Sequence, residues 1–364
     1  MKHTRILALL LALAMVLALG GCCLATTDSE TQQTTTTAGD ESTAPSETVT
    51  TGAVESNPTD TPSTNTTSTG SKVTVQKPTS TTKQPSKNVV TVTTGWDTEE
   101  VTTTTRDKTS GKAIKILAVG NSFSVDAMQN HLYPMLESAG YTDITLGNLY
   151  IGGCSLDTHY SNLKNGTAAY TYYQNTDDEW KKMDGVAAGT AFASYKWDVV
   201  TIQQVSSDSG RPITYGNLQK TLDIIRQKEP QAKIYWHMTW AYQQNSDHWA
   251  FAHYNKDQMT MYNAITATVQ EQVLTQSAIH GVIPSGTAIQ NLRTSTLGDT
   301  LTSDGHHLKD SYGDYTAALT WFCTITGEKP EAVSYRPGTI DDHWDDIAKS
   351  VSNAVKTPYS VTAL

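Results

Sequence analysis

The sequence predicts an α/β fold, a three-layer α/β/α sandwich of flavodoxin-like type around a central parallel sheet of about five strands. Short apolar runs recur along residues 113–364, and stretches with helical spacing separate them. The first run also leads directly into a serine-bearing turn. In chain order, residues 114–119 (IKILAV) form a short run, apolar but for Lys115, of the kind a buried strand shows. Residues 125–139 then show helical spacing. Further strands are expected at 144–151, 197–204, 233–239 and 281–284, each brief and rich in Ile, Val, Leu or aromatics. Between and after them, 215–228, 257–276 and 311–326 read as helices, and 341–355 as a last amphipathic helix with a structural role. Such alternation requires crossover connections and therefore a parallel sheet covered on both faces.

Composition bounds the partners. The formal net charge is −10 and no Lys/Arg cluster occurs, so the basic face that neutralises phosphates is missing and nucleic acid is excluded. At the N-terminus, Lys2 and Arg5 precede an apolar run over 6–19 and then Gly20, Gly21 and Cys22, an export signal too short for a structural membrane span. Residues 19–22 (LGGC) resemble the bacterial lipobox. That resemblance implies a lipoprotein signal peptide over 1–22, a lipidated Cys22, and a protein anchored to the outer face of the cytoplasmic membrane at the cell surface; an ordinary cleaved signal is the alternative.

Residues 23–112 are dominated by Thr and Ser with almost no aromatics, too little apolar surface to offset ordering entropy. They read as a disordered tether with a reach on the order of 50 Å. The remaining 113–364 fit one domain with a single core. Its two cysteines, Cys154 and Cys323, are compatible with a disulfide or with two buried thiols.

Two short runs carry the chemistry: GNSFS from Gly120 to Ser124 and DGHHL from Asp304 to Leu308. Ser122 falls on the strand-to-helix turn, at the carboxyl end of a strand where open α/β sheets bind ligands. A serine hydroxyl is a weak nucleophile and needs a base, and an imidazole needs a carboxylate on its other nitrogen to fix the tautomer. Asp304 and His307 offer that pair, with His306 as the competing base.

These blocks, together with GG-x-S after the second strand, resemble the SGNH hydrolase superfamily, also called GDSL-like esterases, in a branch where the usual GDS is GNS. The resemblance implies Ser122 as nucleophile, His307 and Asp304 as base and acid, and no cofactor or metal. It also implies an oxyanion hole from the Ser122 N–H, a second-block glycine (Gly153, with Gly152 as competitor) and a third-block asparagine. That asparagine is missing: the third strand ends Thr201-Ile202-Gln203-Gln204-Val205, so Gln204, or else Gln203, is expected to stand in.

Substrate contacts are expected from residues 235–254, dense in Trp, Tyr and His, with Trp240, Tyr242 and Trp249 the candidates for stacking on sugar rings. A second Tyr-rich insertion over 159–180, including His159, is expected to form the opposite wall. The leading reading is an exported serine esterase removing acetyl or a similar acyl group from a carbohydrate or cell-wall glycan. A lipase or thioesterase would call for an apolar lid, and residues 243–247 are polar instead. A glycan-binding lipoprotein that has lost its rate is motivated by the missing asparagine. A metal hydrolase built on Asp304, His306 and His307 lacks a recognised ligand spacing.

Overall fold

In a computed structural model, which describes residues 111–364, seven strands form one sheet: β1 (Lys112–Gly120), β2 (Tyr141–Tyr150), β3 (Tyr170–Asn175), β4 (Trp180–Val186), β5 (Val199–Ile202), β6 (Lys233–His237) and β7 (Ile279–Ile283). The order is β4-β3-β2-β1-β5-β6-β7. The signal at 1–22, Cys22 and nearly all of the tether at 23–112 lie outside the described residues. β2, β1, β5, β6 and β7 are mutually parallel, with Ile116 opposite both Leu146 and Val199. These are the five strands expected from the apolar runs, and they run apolar without alternation because both faces are buried, as at Ile116, Leu117, Ala118 and Val119.

β3 and β4 were not expected. They form an antiparallel hairpin that extends the sheet beside β2. The insertion expected as a wall over 159–180 is therefore part helix, through Asn165, and part sheet, from Tyr170. β3 buries Tyr170 and Tyr172 on one face, the period-2 pattern of a half-covered strand. β4 carries Lys181 and Lys182 and is largely exposed, as a protected edge strand is.

The helices are α1 (Ser122–Met128), α2 (Leu132–Ser138), α3 (Leu156–Asn165), α4 (Ala188–Ser194), α5 (Leu218–Lys228), α6 (Gln258–Thr268), α7 (Ser285–Leu292), α8 (Tyr312–Thr326) and α9 (Trp344–Lys356). The helix expected over 125–139 is two, α1 and α2, broken around Gln129–His131. α3 had a legible signature that went unread: Ser155 caps it by accepting from Thr158 N, and Gly166 ends it in the left-handed region at φ 64°. α7 carries no sequence signal because every one of its residues is buried, which erases the amphipathic pattern. α9 buries Ile347, Ala348, Val351 and Ala354 and packs on α7 and α8.

Topology decides where a site can form. The chain leaves β1 toward β2 through α1 and α2, but leaves β5 toward β6 and β7, on the other side of β1. Right-handed crossovers put those connections on opposite faces, so a crevice opens at the carboxyl ends of β1 and β5.

Candidate active site

Ser122 stands at that crevice as the first residue of α1. Asn121 caps the helix, its Oδ1 accepting from Phe123 N at 3.1 Å. The same oxygen accepts from Gln203 Nε2 at 2.8 Å, and Asn121 Nδ2 donates to Cys154 O at 3.1 Å. One amide thus ties the ends of β1, β5 and the loop after β2 together. The motif's outer residues are explained by packing: a Cβ on Gly120 would meet Ser124 Oγ at 2.5 Å, and Ser124 Oγ reaches Asn121 O (2.7 Å) and Asn148 Oδ1 (3.0 Å).

The DGHHL run closes a tight loop through the Thr302–Leu308 bridge and Ser303 N donating to His307 O at 2.8 Å. Asp304 Oδ1 accepts the N–H groups of His306 (3.0 Å) and His307 (2.8 Å), while Oδ2 lies 2.7 Å from His307 Nδ1. His307 Nε2 is 2.8 Å from Ser122 Oγ. The three residues therefore form one continuous hydrogen-bonded chain. Burial raises the Asp304 carboxyl, but the N–H of His307, its ring and the N–H of His306 outweigh this and hold it down at about 2. Asp304 accordingly stays ionised at neutral pH. His306, the competing base, is turned instead toward His248 (ring centroids 4.7 Å) and Asp304 Oδ1, 3.0 Å from its Nδ1. Asp304, His306 and His307 place ligand-type atoms within 4.8 Å of one another. Both Asp304 oxygens already accept N–H groups, the arrangement that orients an imidazole.

Beside Ser122 lies a cavity of about 380 Å³, lined among others by Gly153, Ser206, Ser207, His248 and Trp249. Gly153 sits at φ 61°, a conformation that favours glycine, and its loop flanks Ser122 as expected. Gln204 does not. Its Oε1 accepts from Leu156 N (2.8 Å) and Val205 N (2.9 Å), and its Nε2 donates to Thr214 O and Oγ1 at 3.1 Å. The side chain is a clamp on the start of α3. Gln203 is no substitute, since Nε2 serves Asn121 and Oε1 faces His237 Nδ1 at 2.8 Å. Both amides are held by these partners and neither lines the cavity, an outcome no local pattern reveals.

Three of the four expected substrate contacts are buried and unavailable at a surface. Trp240 lies under the site: Nε1 donates to His306 O at 2.8 Å, and its ring stacks on Phe123 at 4.3 Å. Tyr242 is fully buried with its hydroxyl 2.9 Å from Ser206 Oγ. His159, also fully buried, faces Tyr170 OH at 3.2 Å, and burial lowers its pKa to about 4. Trp249 alone is open, 70% exposed at the cavity rim and stacked on His248. Cys154 and Cys323 are both free and buried, and burial pushes each thiol up to about 12, so they behave as small apolar side chains.

Sequence reasoning passed over Asp126, four residues beyond Ser122. Its Oδ2 accepts Leu308 N at 2.9 Å and so holds the loop that carries His307. Burial, then repulsion from Asp314, raises Asp126 to about 8; burial likewise raises Asp314 to about 7. In the unfolded chain both ionise near 4. Between pH 4 and 8 the fold thus retains protons the unfolded chain has released, so stability is greatest below the unfolded pKa and declines as pH rises toward the folded values. Thermal melts should show Tm falling from pH 5 to 8, and Asp126→Asn, which keeps an acceptor for Leu308 N, should flatten that fall by about 2–5 °C. Identical slopes in the two proteins would refute the assignment.

Residues 115–355 match the family model described as "Domain of unknown function (DUF4886)". The crystal structure of a DUF4886 family protein from Bacteroides uniformis is 38% identical, covering 70% of this chain and 98% of that one, with a TM-score of 0.67. More distantly, the chain is similar to an SGNH hydrolase candidate from Slackia heliotrinireducens (19% identity, 59% of this chain and 100% of that one, TM-score 0.39). It is also similar to the Clostridium thermocellum family 3 carbohydrate esterase (17%, 59% and 96%, TM-score 0.36). No curated protein matches the chain. On the strength of the match over 115–355 and of the Bacteroides structure, the chain belongs to the DUF4886 family.

Proposed function

We propose that this protein is a serine ester hydrolase that removes small acyl groups, acetyl foremost, from carbohydrate through an acyl-Ser122 intermediate. The observation that carries the reading is the chain Ser122 Oγ–His307 Nε2 at 2.8 Å and His307 Nδ1–Asp304 Oδ2 at 2.7 Å, at the topological switch point of the sheet. In the proposed reaction His307 takes the Ser122 proton as Oγ attacks the ester carbonyl and returns it to the departing sugar hydroxyl. Water then repeats the sequence on the acyl-enzyme. A cavity of about 380 Å³ suits a short acyl group, and its rim carries polar side chains and an exposed Trp suited to a sugar face. In the same proposal Cys22 carries the lipid and residues 23–112 tether the domain outside the membrane; metabolic palmitate labelling lost in Cys22→Ala would support this, and undiminished labelling would end it.

Acetate release from acetylated xylan and from p-nitrophenyl acetate tests the enzyme reading. Turnover abolished in Ser122→Ala supports it; equal release by both proteins sinks it. Trp249→Ala should raise KM for the acetylated glycan about tenfold, the value of one aromatic stacking contact, while kcat on p-nitrophenyl acetate stays within twofold. An equal loss on both substrates would assign Trp249 to structure instead. The missing amide donor favours a second reading, a glycan-binding protein without turnover, which those same assays separate from the first.

A further inference from the structure

With Gln203 and Gln204 both engaged elsewhere, the oxyanion hole of the proposed esterase lacks a third side-chain donor. We propose that the Ser206 hydroxyl supplies it, held in position from behind by Tyr242. The inference rests on the esterase reading and concerns the same cavity.

Ser206 lies four residues past the end of β5 and opens a 3-10 turn over Ser206–Asp208, beyond the strand neighbouring the one that delivers Ser122. It lines the cavity with Ser122 and Gly153, yet the residue as a whole is only 7% exposed. Its Oγ is 2.9 Å from the Tyr242 hydroxyl. Tyr242 OH has that single partner among the described residues, and burial pushes its pKa up, so it keeps its proton. The contact admits either hydroxyl as donor, and in the proposal Tyr242 is the donor, since the buried phenol has no other acceptor among the described residues. The Ser206 proton is thereby released from that contact and turned toward the cavity. Other polar side chains along the wall do not meet the same conditions. Asn121 is fixed by its capping role, with Nδ2 giving an N–H to Cys154 O and Oδ1 accepting from Phe123 N and Gln203 Nε2. Ser207 also lines the cavity, but no contact holds its hydroxyl, and an oxyanion donor works by being oriented before charge appears.

As Ser122 Oγ bonds to the carbonyl carbon, the carbonyl π pair moves onto oxygen and the Ser122 proton passes to His307 Nε2. Ser206 O–H donates a hydrogen bond to that oxygen and keeps its proton, so charge and atoms balance without it. Ser206 is then a catalytic residue, and Tyr242 a positioning residue.

The test uses the full chain with p-nitrophenyl acetate, comparing wild type, Ser122→Ala, Ser206→Ala and Tyr242→Phe, with thermal melts to verify folding. The expected result is that Ser122→Ala abolishes turnover, Ser206→Ala lowers kcat about 10²- to 10³-fold with KM within threefold, and Tyr242→Phe lowers kcat about tenfold with KM unmoved. If Ser206→Ala does not fold, the kcat-only loss in Tyr242→Phe carries the test. Ser122→Ala inactive with Ser206→Ala or Tyr242→Phe at wild-type kcat overturns the proposal and leaves the esterase reading intact. Ser122→Ala as active as wild type overturns both.

Discussion

Ser122→Ala should lower kcat on acyl esters by about 10⁶-fold, to the background that binding and the oxyanion hole alone provide. The size follows from what is removed. In the proposed mechanism His307 and Asp304 serve to take one proton, and without Oγ the imidazole has nothing to activate. The loss of one residue of such a unit therefore approaches the loss of the whole unit. Stability should be unchanged, because Ser122 Oγ makes its one side-chain bond to His307 and the turn is held by Asn121 and Ser124. A second readout removes dependence on the substrate chosen: a fluorophosphonate should label wild type once and leave Ser122→Ala unlabelled. Labelling of the variant at another serine would show that the nucleophile had been misassigned.

Asp304→Asn should cost about 10⁴-fold in kcat with the loop still formed. Asp304 accepts on both oxygens, from two backbone N–H groups on Oδ1 and from His307 Nδ1 on Oδ2. An asparagine has one acceptor oxygen. The paired backbone N–H groups keep it, which turns the amide NH₂ toward Nδ1. Nδ1 must then accept, the ring proton moves to Nε2, and His307 can no longer take a proton from Ser122. Wild-type kcat in Asp304→Asn would remove Asp304 from the mechanism. A matching fall in Tm would mean that the loop, rather than the tautomer, had failed.

Much of this site was legible because its chemistry is local. Asp304 and His307 lie three residues apart on one loop, so the carboxylate can fold back on the ring without help from distant chain. Ser122 follows an apolar run too short for anything but a strand. The five parallel strands were readable for the same kind of reason, since burial on both faces leaves an uninterrupted apolar run. The hairpin of β3 and β4 was hidden by its own edge position, where the exposed lysines of β4 and the polar, Tyr-rich run of β3 look like an insertion.

Trp240 and Trp249 show where such reading stops. They are the same residue type in one aromatic-rich segment, but one lies beneath the His306 carbonyl and the other stands at the cavity rim. Gln203 and Gln204 likewise differ by one position, and each found a distant partner, Asn121 and His237 for one, Leu156 and Thr214 for the other.

The sequence by itself determined the α/β class, the parallel centre of the sheet, and the candidates Ser122, Asp304 and His307 that the fold brings together, because strand periodicity and short-range donor–acceptor spacing are properties of neighbouring residues. The tertiary structure alone decided that both glutamines are structural, that Trp240, Tyr242 and His159 are buried, that Ser206 lines the cavity and that Asp126 holds the loop carrying His307. Those outcomes depend on which buried donors and acceptors remain unmatched once helices and sheet have packed, and that matching is made between residues far apart in the chain.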